Sequence, residues 1–248
     1  MITKIITELE FVADAVRKEA SKTMFQTSMK YLGVRAPDLR ILLKNWWIEI
    51  KNWPPEKLIQ FAKQLVGSRI FECNQIAFEL LWMNKNALRL LRLSDLEELG
   101  INMDNWATTD TFSVMISGWV WRENQISDSD VLNWLNSENL WWRRAAVVST
   151  VPLNLRARGG KGNVKRTLMI CEKIVADCND MIVKALSWAL RELSKSNKPA
   201  VEEFMEKYDS ELAGRVRREV FTKLETEKKK IDKTDNYSQV QLCKLSTI

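Results

Sequence analysis

Apolar side chains recur at three- and four-residue spacing in short runs separated by polar turns, the pattern of amphipathic helices. It predicts helices over roughly 2–19, 22–31, 38–51, 55–66, 70–83, 85–92, 94–100, 105–122, 129–136, 139–151, 163–177, 180–195, 199–207 and 210–228. Start signals agree: Pro37 suits a first helical turn, Pro54-Pro55-Glu56 opens another helix, and Ser127-Asp128-Ser129-Asp130 offers side-chain oxygens to free amide donors. Gly33, Gly67 and Gly100 fall where helices should stop. From about Glu225 the periodicity is lost, so the expectation is one repeat domain over 1–228 and a flexible tail over 229–248.

The helices also come in pairs. The unit Val131-Leu-Asn-Trp-Leu with Leu140-Trp-Trp-Arg-Arg-Ala-Ala-Val matches Thr167-Leu-Met-Ile-Cys with Met181-Ile-Val-Lys-Ala-Leu-Ser-Trp, offset by 40 residues when Arg144 is set on Lys184. A shorter third unit follows at Val201 and Leu212. Each second helix carries a cation near its start: Arg143 and Arg144, then Lys184, then Arg215 and Arg217. Paired helices at this period predict an all-α solenoid of HEAT-like repeats with a concave basic groove. A helical bundle with solvated Arg and Lys is the competing architecture.

Composition supports the helical reading. Only eight glycines and five prolines in 248 residues leave little room for the turns of an all-β fold. The net charge of +6 favours an anionic partner. Its distribution says more. Leu93 to Glu138 holds nine acids against the single base Arg122, whereas Asn139 to Cys171 holds no acid and the cations Arg143, Arg144, Arg156, Arg158, Lys161, Lys165 and Arg166. Such segregation is the footprint of a nucleic-acid binder. Cys73, Cys171, Cys178 and Cys243 include no CxxC pair, and no signal-peptide or membrane-length apolar run occurs, so reduced thiols in a cytoplasmic protein are expected. Cys171 and Cys178 are read as core residues of one helix.

With eleven tryptophans and no histidine, imidazole acid–base chemistry, Ser-His triads and His-ligated metals are excluded. Trp106 and Asp110, four residues apart, share a helix face. On spacing alone this Asp satisfies a helix dipole and this Trp packs in a core. The alternative is a carboxylate flanked by indole, a site for a cationic intermediate. A second tryptophan, Trp188, follows Lys184 by one turn.

Asn105-Trp-Ala-Thr-Thr-Asp, Trp142-Arg-Arg-Ala-Ala and Lys184-Ala-Leu-Ser-Trp-Ala-Leu-Arg-Glu, with Tyr31-Leu-Gly-Val-Arg-Ala-Pro-Asp-Leu-Arg upstream, resemble the AlkD family of DNA alkylation repair glycosylases over most of the chain. The resemblance implies a HEAT-like repeat fold, a catalytic Asp at Asp110, active-site tryptophans at Trp106 and Trp188, and a backbone-contacting Arg at Arg144, with Arg143 as its neighbour. Lys184, Arg156, Arg158, Lys161, Lys165 and Arg166 join it as expected phosphate ligands. A functional Tyr of the family is not matched: Met24 stands nearest its position, with Phe25 and Tyr31 close by. The segment from Val151 to Val164 is longer and more basic than the family pattern and is read as a phosphate-contacting loop or a solvated insertion.

The implied activity is hydrolysis of the N-glycosidic bond of positively charged N-alkylated purines, of the 7-methylguanine and 3-methyladenine type, in duplex DNA without base flipping. The implied partner is double-stranded DNA containing alkylated bases. No cofactor, metal or membrane is expected, and the chain is expected to be a monomer, cytoplasmic and nucleoid-associated when bound. A non-catalytic DNA-binding relative and a HEAT-type protein–protein scaffold are the alternatives.

Overall fold

In place of the single helix expected over 2–19, the computed structural model has α1 (Ile2–Phe11) and α2 (Ala15–Met24), parted at Asp14. The Asp14 carboxylate accepts the Arg17 N–H at 3.0 Å and starts a new helix. The structure describes residues 1–24 and 26–226, those at 21–24 by their backbone; Phe25, the Met24 side chain and the tail 229–248 lie outside the described residues.

The helix expected over 22–31 stops at Met24, and the chain over 26–35 is not helical. The cause is long-range. Glu72 is buried and its carboxylate accepts the N–H groups of Leu32, Gly33 and Val34 at 3.1, 2.8 and 3.2 Å, which a helix would have used internally. Lys30 forms an isolated bridge with Ile70. Gly33 therefore sits in a turn (φ +88°) and ends no helix; a Cβ there would lie 2.4 Å from the Asp14 carbonyl oxygen.

Elsewhere the helices follow the hydrophobic periodicity. Two compact units are present, Met1–Leu153 and a second that begins at Asn154. In the first, α3 (Ala36–Ile50) carries Pro37 in its opening turn and packs on α5 (Phe71–Met83). Helix α4 (Pro55–Gly67) buries Leu58, Phe61, Ala62 and Leu65 against α5, α6 (Lys85–Leu90) and α7 (Leu93–Gly100). Gly67 and Gly100 are the last residues of their helices, as expected. The stretch 106–122 is helical throughout but not uniform: α8 (Trp106–Phe112) runs into a π-helical turn (Ser113–Ser117) and then α9 (Gly118–Arg122). Helices α10 (Asp128–Leu135) and α11 (Leu140–Val148) form a pair, followed by the short α12 (Val151–Asn154). The capping box of α10 joins Ser127 and Asp130 reciprocally.

The second unit contains a 3-10 turn (Arg156–Arg158), α13 (Val164–Glu172), α14 (Asp180–Ser194), α15 (Lys198–Lys207) and α16 over 214–226. The internal repeat is visible in its caps. Asn139 and Asn179 cap α11 and α14, each accepting the N–H two residues on (Trp141 and Met181), and each donates its own N–H to the side chain two residues back (Ser137 and Asp177). The fold is an all-α helical repeat, and no strand occurs among the described residues.

Among those residues no helix is long and apolar enough to cross a membrane, and no group of three or more acidic or thiol side chains could hold a metal ion. Cys73 and Cys171 are buried, but Cys178 lies beyond the end of α13 and is exposed, so it is no core residue. Helix α13 stops at Glu172, five residues short of the expected end, because the chain must turn to bring the Asn179 cap to α14.

Candidate active site

Asn105 is buried and caps α8 through the Thr108 N–H at 3.0 Å, which fixes the first turn carrying Trp106. The loop before it is anchored by Asp104, whose carboxylate accepts the Thr27 hydroxyl at 2.6 Å and the Ser28 N–H. These hydrogen bonds hold the Asp104 carboxyl below the usual carboxylate range, against the opposing effect of burial. The non-helical segment over 26–31 is thereby latched to the N-terminal end of α8.

Along α8, hydroxyls turn back onto the backbone: Thr109 onto the Asn105 carbonyl at 2.8 Å, Thr111 onto Ala107 at 2.9 Å and Ser113 onto Thr109 at 2.7 Å. Such back-bonding loosens the helical ladder, and the wide π turn begins directly after it. The turn sits where α9 must pass close to the chain near Pro152. A Cβ on Gly118 would fall 2.3 Å from the Pro152 ring and 2.6 Å from the Ser149 carbonyl oxygen. Ser117 and Ser149 share a hydroxyl hydrogen bond of 2.7 Å across the same approach.

That approach sets α11 beside α8. Arg144 is buried and clasps Asp110 with two parallel bonds, Nε to Oδ1 and Nη2 to Oδ2, each 2.8 Å. The side chains are 6% and 18% exposed, so the pair is shielded but the carboxylate still has an edge toward solvent. Burial pushes the Asp110 carboxyl up from its ordinary range, and the Arg144 guanidinium offsets part of the rise. Two residues from Asp110 and Arg144 on the same helices, Phe112 and Trp142 join an aromatic cluster. Phe112 meets Phe78 at 5.7 Å and Trp142 at 5.9 Å between centroids, and Trp134 meets Trp142 at 5.1 Å. Gly100 leaves room for the Trp142 ring, whose edge would lie 2.5 Å from a Cβ.

Trp106 is not part of that cluster. The residue is 37% exposed, one turn before Asp110 on the same face. The core reading of a Trp at this spacing therefore fails for Trp106. The two adjacent arginines also separate: Arg144 turns inward to the carboxylate, while Arg143 is half-buried and is not the partner of Asp110.

Trp188 and Lys184 belong to the second unit, on the partly exposed stripe of α14 formed by Lys184, Trp188 and Arg191. Lys184 is paired with Asp180 at 2.6 Å. Arg215 bridges Asp180 at 3.3 Å and Glu219 at 2.8 Å, and Glu219 accepts the Ser187 hydroxyl at 2.6 Å. Of the basic run, Arg156, Lys161 and Lys165 are exposed and without an ion pair among the described residues, while Arg158 and Arg166 are half-buried. Sequence reasoning did not find the Asp104 latch or the π turn. The run of hydroxyls at 108, 109, 111 and 113 was the available signal for the latter.

The site is therefore a fixed, partly solvent-facing carboxylate beside an exposed indole. Such a group can stabilise a developing cation or orient a water. No curated protein matches the chain. A solved structure from Enterococcus faecalis, described as a predicted DNA alkylation repair enzyme, shares the fold with a TM-score of 0.66 at 21% identity, over 84% of this chain and 94% of that one. The family model for the DNA alkylation repair enzyme matches residues 5–224, and the chain belongs to that family.

Proposed function

We propose that the protein is a monofunctional DNA glycosylase that releases positively charged N-alkylated purines from duplex DNA. The observation that carries this reading is the Arg144–Asp110 clasp of two 2.8 Å bonds, one turn after the exposed Trp106. Alkylation at N7 of guanine or N3 of adenine makes the base cationic, so it departs neutral and needs no proton from the enzyme. What remains is to stabilise the sugar as positive charge develops at C1′, in a transition state like that of glycosidases.

Asp110 supplies the negative charge. The guanidinium fixes the orientation of the carboxylate and favours its ionised form, while each oxygen keeps a lone pair for the sugar or for the attacking water. Trp106 presents a π face, negative at its centre, to polarised C–H groups of the deoxyribose and excludes bulk water. Trp188 is assigned the same task by the resemblance of its motif.

Binding is assigned to phosphate contacts rather than base edges, which leaves the lesion stacked. Arg156, Lys161 and Lys165 suit this because no carboxylate among the described residues neutralises them. Lys184 must share itself with Asp180, and Arg144 is committed mainly to Asp110.

Single-turnover release of 7-methylguanine from a defined duplex tests the reading, with wild type and Asp110→Asn compared at equal saturation. The expected result is release by wild type and a fall of at least about a hundredfold in the variant, with duplex affinity kept. Tight binding without release by wild type would leave a non-catalytic DNA-binding protein.

A further inference from the structure

The carboxylate of Asp104 gathers donors from two distant parts of the first unit. Oδ1 accepts the Thr27 hydroxyl at 2.6 Å and the Asn105 side-chain amide at 3.0 Å, while Oδ2 accepts the Ser28 N–H. Burial alone would raise this carboxyl, but the hydrogen bonds bring it below the usual range, so it is ionised and only accepts.

The bond to Asn105 decides how α8 begins. A side-chain amide has one end that donates and one that accepts. With Nδ2 held by the carboxylate, Asn105 turns Oδ1 to the Thr108 N–H, which it accepts at 3.0 Å as the N-cap. The reversed amide would set a carbonyl oxygen against a carboxylate and an NH2 group against an N–H. Asn105 is 1% exposed, so water would relieve neither conflict. Its main-chain carbonyl takes the Thr109 N–H at 3.2 Å and the Thr109 hydroxyl at 2.8 Å. Trp106 comes next, the first residue of α8, and Asp110 follows one turn on.

The far end of the latch is held as well. Met29 is buried, and its sulfur accepts the Asn74 side-chain amide at 3.0 Å. Lys30 donates its N–H to the Arg69 carbonyl and accepts the Phe71 N–H, each at 2.9 Å. Arg69 Nη2 donates to the Ser28 hydroxyl at 2.9 Å. Asp104 therefore refers the start of α8 to a segment that is itself fixed at the turn between α4 and α5. A first turn without its cap frays, and here the residue that fraying would release is the exposed Trp106.

We infer that Asp104 is a positioning residue: by orienting the Asn105 cap, it sets the Trp106 indole relative to the Asp110 carboxylate. The inference rests on the glycosylase reading for the reaction it serves. Asp104 acts through Asn105 and needs no contact with the substrate.

An exchange of side chains within the latch tests it. Asp104→Asn leaves one acceptor oxygen where three donors converge on two, so either the Ser28 N–H or the Asn105 amide faces a donor. Adding Asn105→Asp restores the partners. The amide now at 104 keeps its oxygen for Ser28 and donates to the carboxylate now at 105, whose other oxygen caps Thr108. Single-turnover release of 7-methylguanine at saturating enzyme is expected to fall about tenfold to a hundredfold in Asp104→Asn, the cost of a misplaced group, with duplex affinity kept. It should return close to wild type in the double variant. Amide exchange at Thr108 should quicken about fivefold in the single variant, the scale of a lost N-cap, and slow again in the double. A folded single variant with wild-type release overturns the inference, as does a fall no larger than the loss of folded protein in the thermal melt. So does a double variant that regains Thr108 protection but not release. A wild type that binds duplex and excises nothing ends the glycosylase reading instead, and Thr108 exchange still decides whether Asp104 orients the cap.

Discussion

The Arg144–Asp110 pair combines two opposing effects on one carboxylate. Burial raises the Asp110 carboxyl and the guanidinium brings it part of the way back. The ionised form is the active one, so activity is present above the raised pKa and is lost as pH falls through it. The acid limb of the single-turnover rate is therefore expected at a higher pH than an ordinary Asp would give. Replacing Arg144 by Gln removes the guanidinium and leaves the burial, which moves that limb further toward neutrality. If Arg144 acted only on DNA phosphate, Arg144→Gln would weaken binding and leave the limb where it stands. Rate against pH at saturating enzyme distinguishes these cases. The variant should also be less stable by about 1–3 kcal/mol, because a mostly buried carboxylate is left without its partner. The choice between Arg143 and Arg144 could not be made from sequence, since adjacent cations on a helix differ only in direction, and direction is set by packing against α8.

At the scale of elements, the helices with apolar periodicity and polar caps were legible. The capping box of α10 and the prolines opening α3 and α4 stand where local chemistry puts them. What was not legible came from contacts distant in sequence. The segment over 26–35 carries helix-compatible residues, yet it gives its N–H groups to Glu72, some forty positions on, and its hydroxyls to Asp104. No local window contains that competition. The site residues were visible as a motif, and the hydroxyl run hinted at the π turn, but the close pass of Gly118 over Ser149 and Pro152 that follows it was not legible. This gives a test. Gly118→Ala forces a methyl against backbone and ring atoms that cannot swing aside, and should cost about 1–3 kcal/mol in urea unfolding. Because the pass sets α11 beside α8, the same variant should lose 7-methylguanine release by more than its folded fraction explains. Unchanged release at full folding would detach the π turn from the site.

For the whole molecule, the charge pattern matters more than the net charge of +6. Several cations of the first unit are answered by carboxylates, as Lys63 is by Asp95 and Glu98. On α14 the same holds for Lys184, and on α16 for Arg215. A cation already paired releases little when it meets phosphate, because the gain is offset by the carboxylate it must share. The exposed Arg156, Lys161 and Lys165 have no such partner among the described residues and lie together in the loop and the first turn of α13, so phosphate contacts are expected to gather there. Duplex affinity should therefore fall steeply with salt, and the slope of log K against log salt should flatten by roughly 2–3 when these three are changed together to Ala, at about 0.9 per phosphate contact. Changing Lys184 alone should flatten it by clearly less than one contact. The comparison within one protein removes the general effect of lost charge, since Lys184→Ala also lowers the net charge. If both variants shift the slope in simple proportion to the charge removed, DNA responds to the net field of the protein and the unpaired loop has no special share in binding.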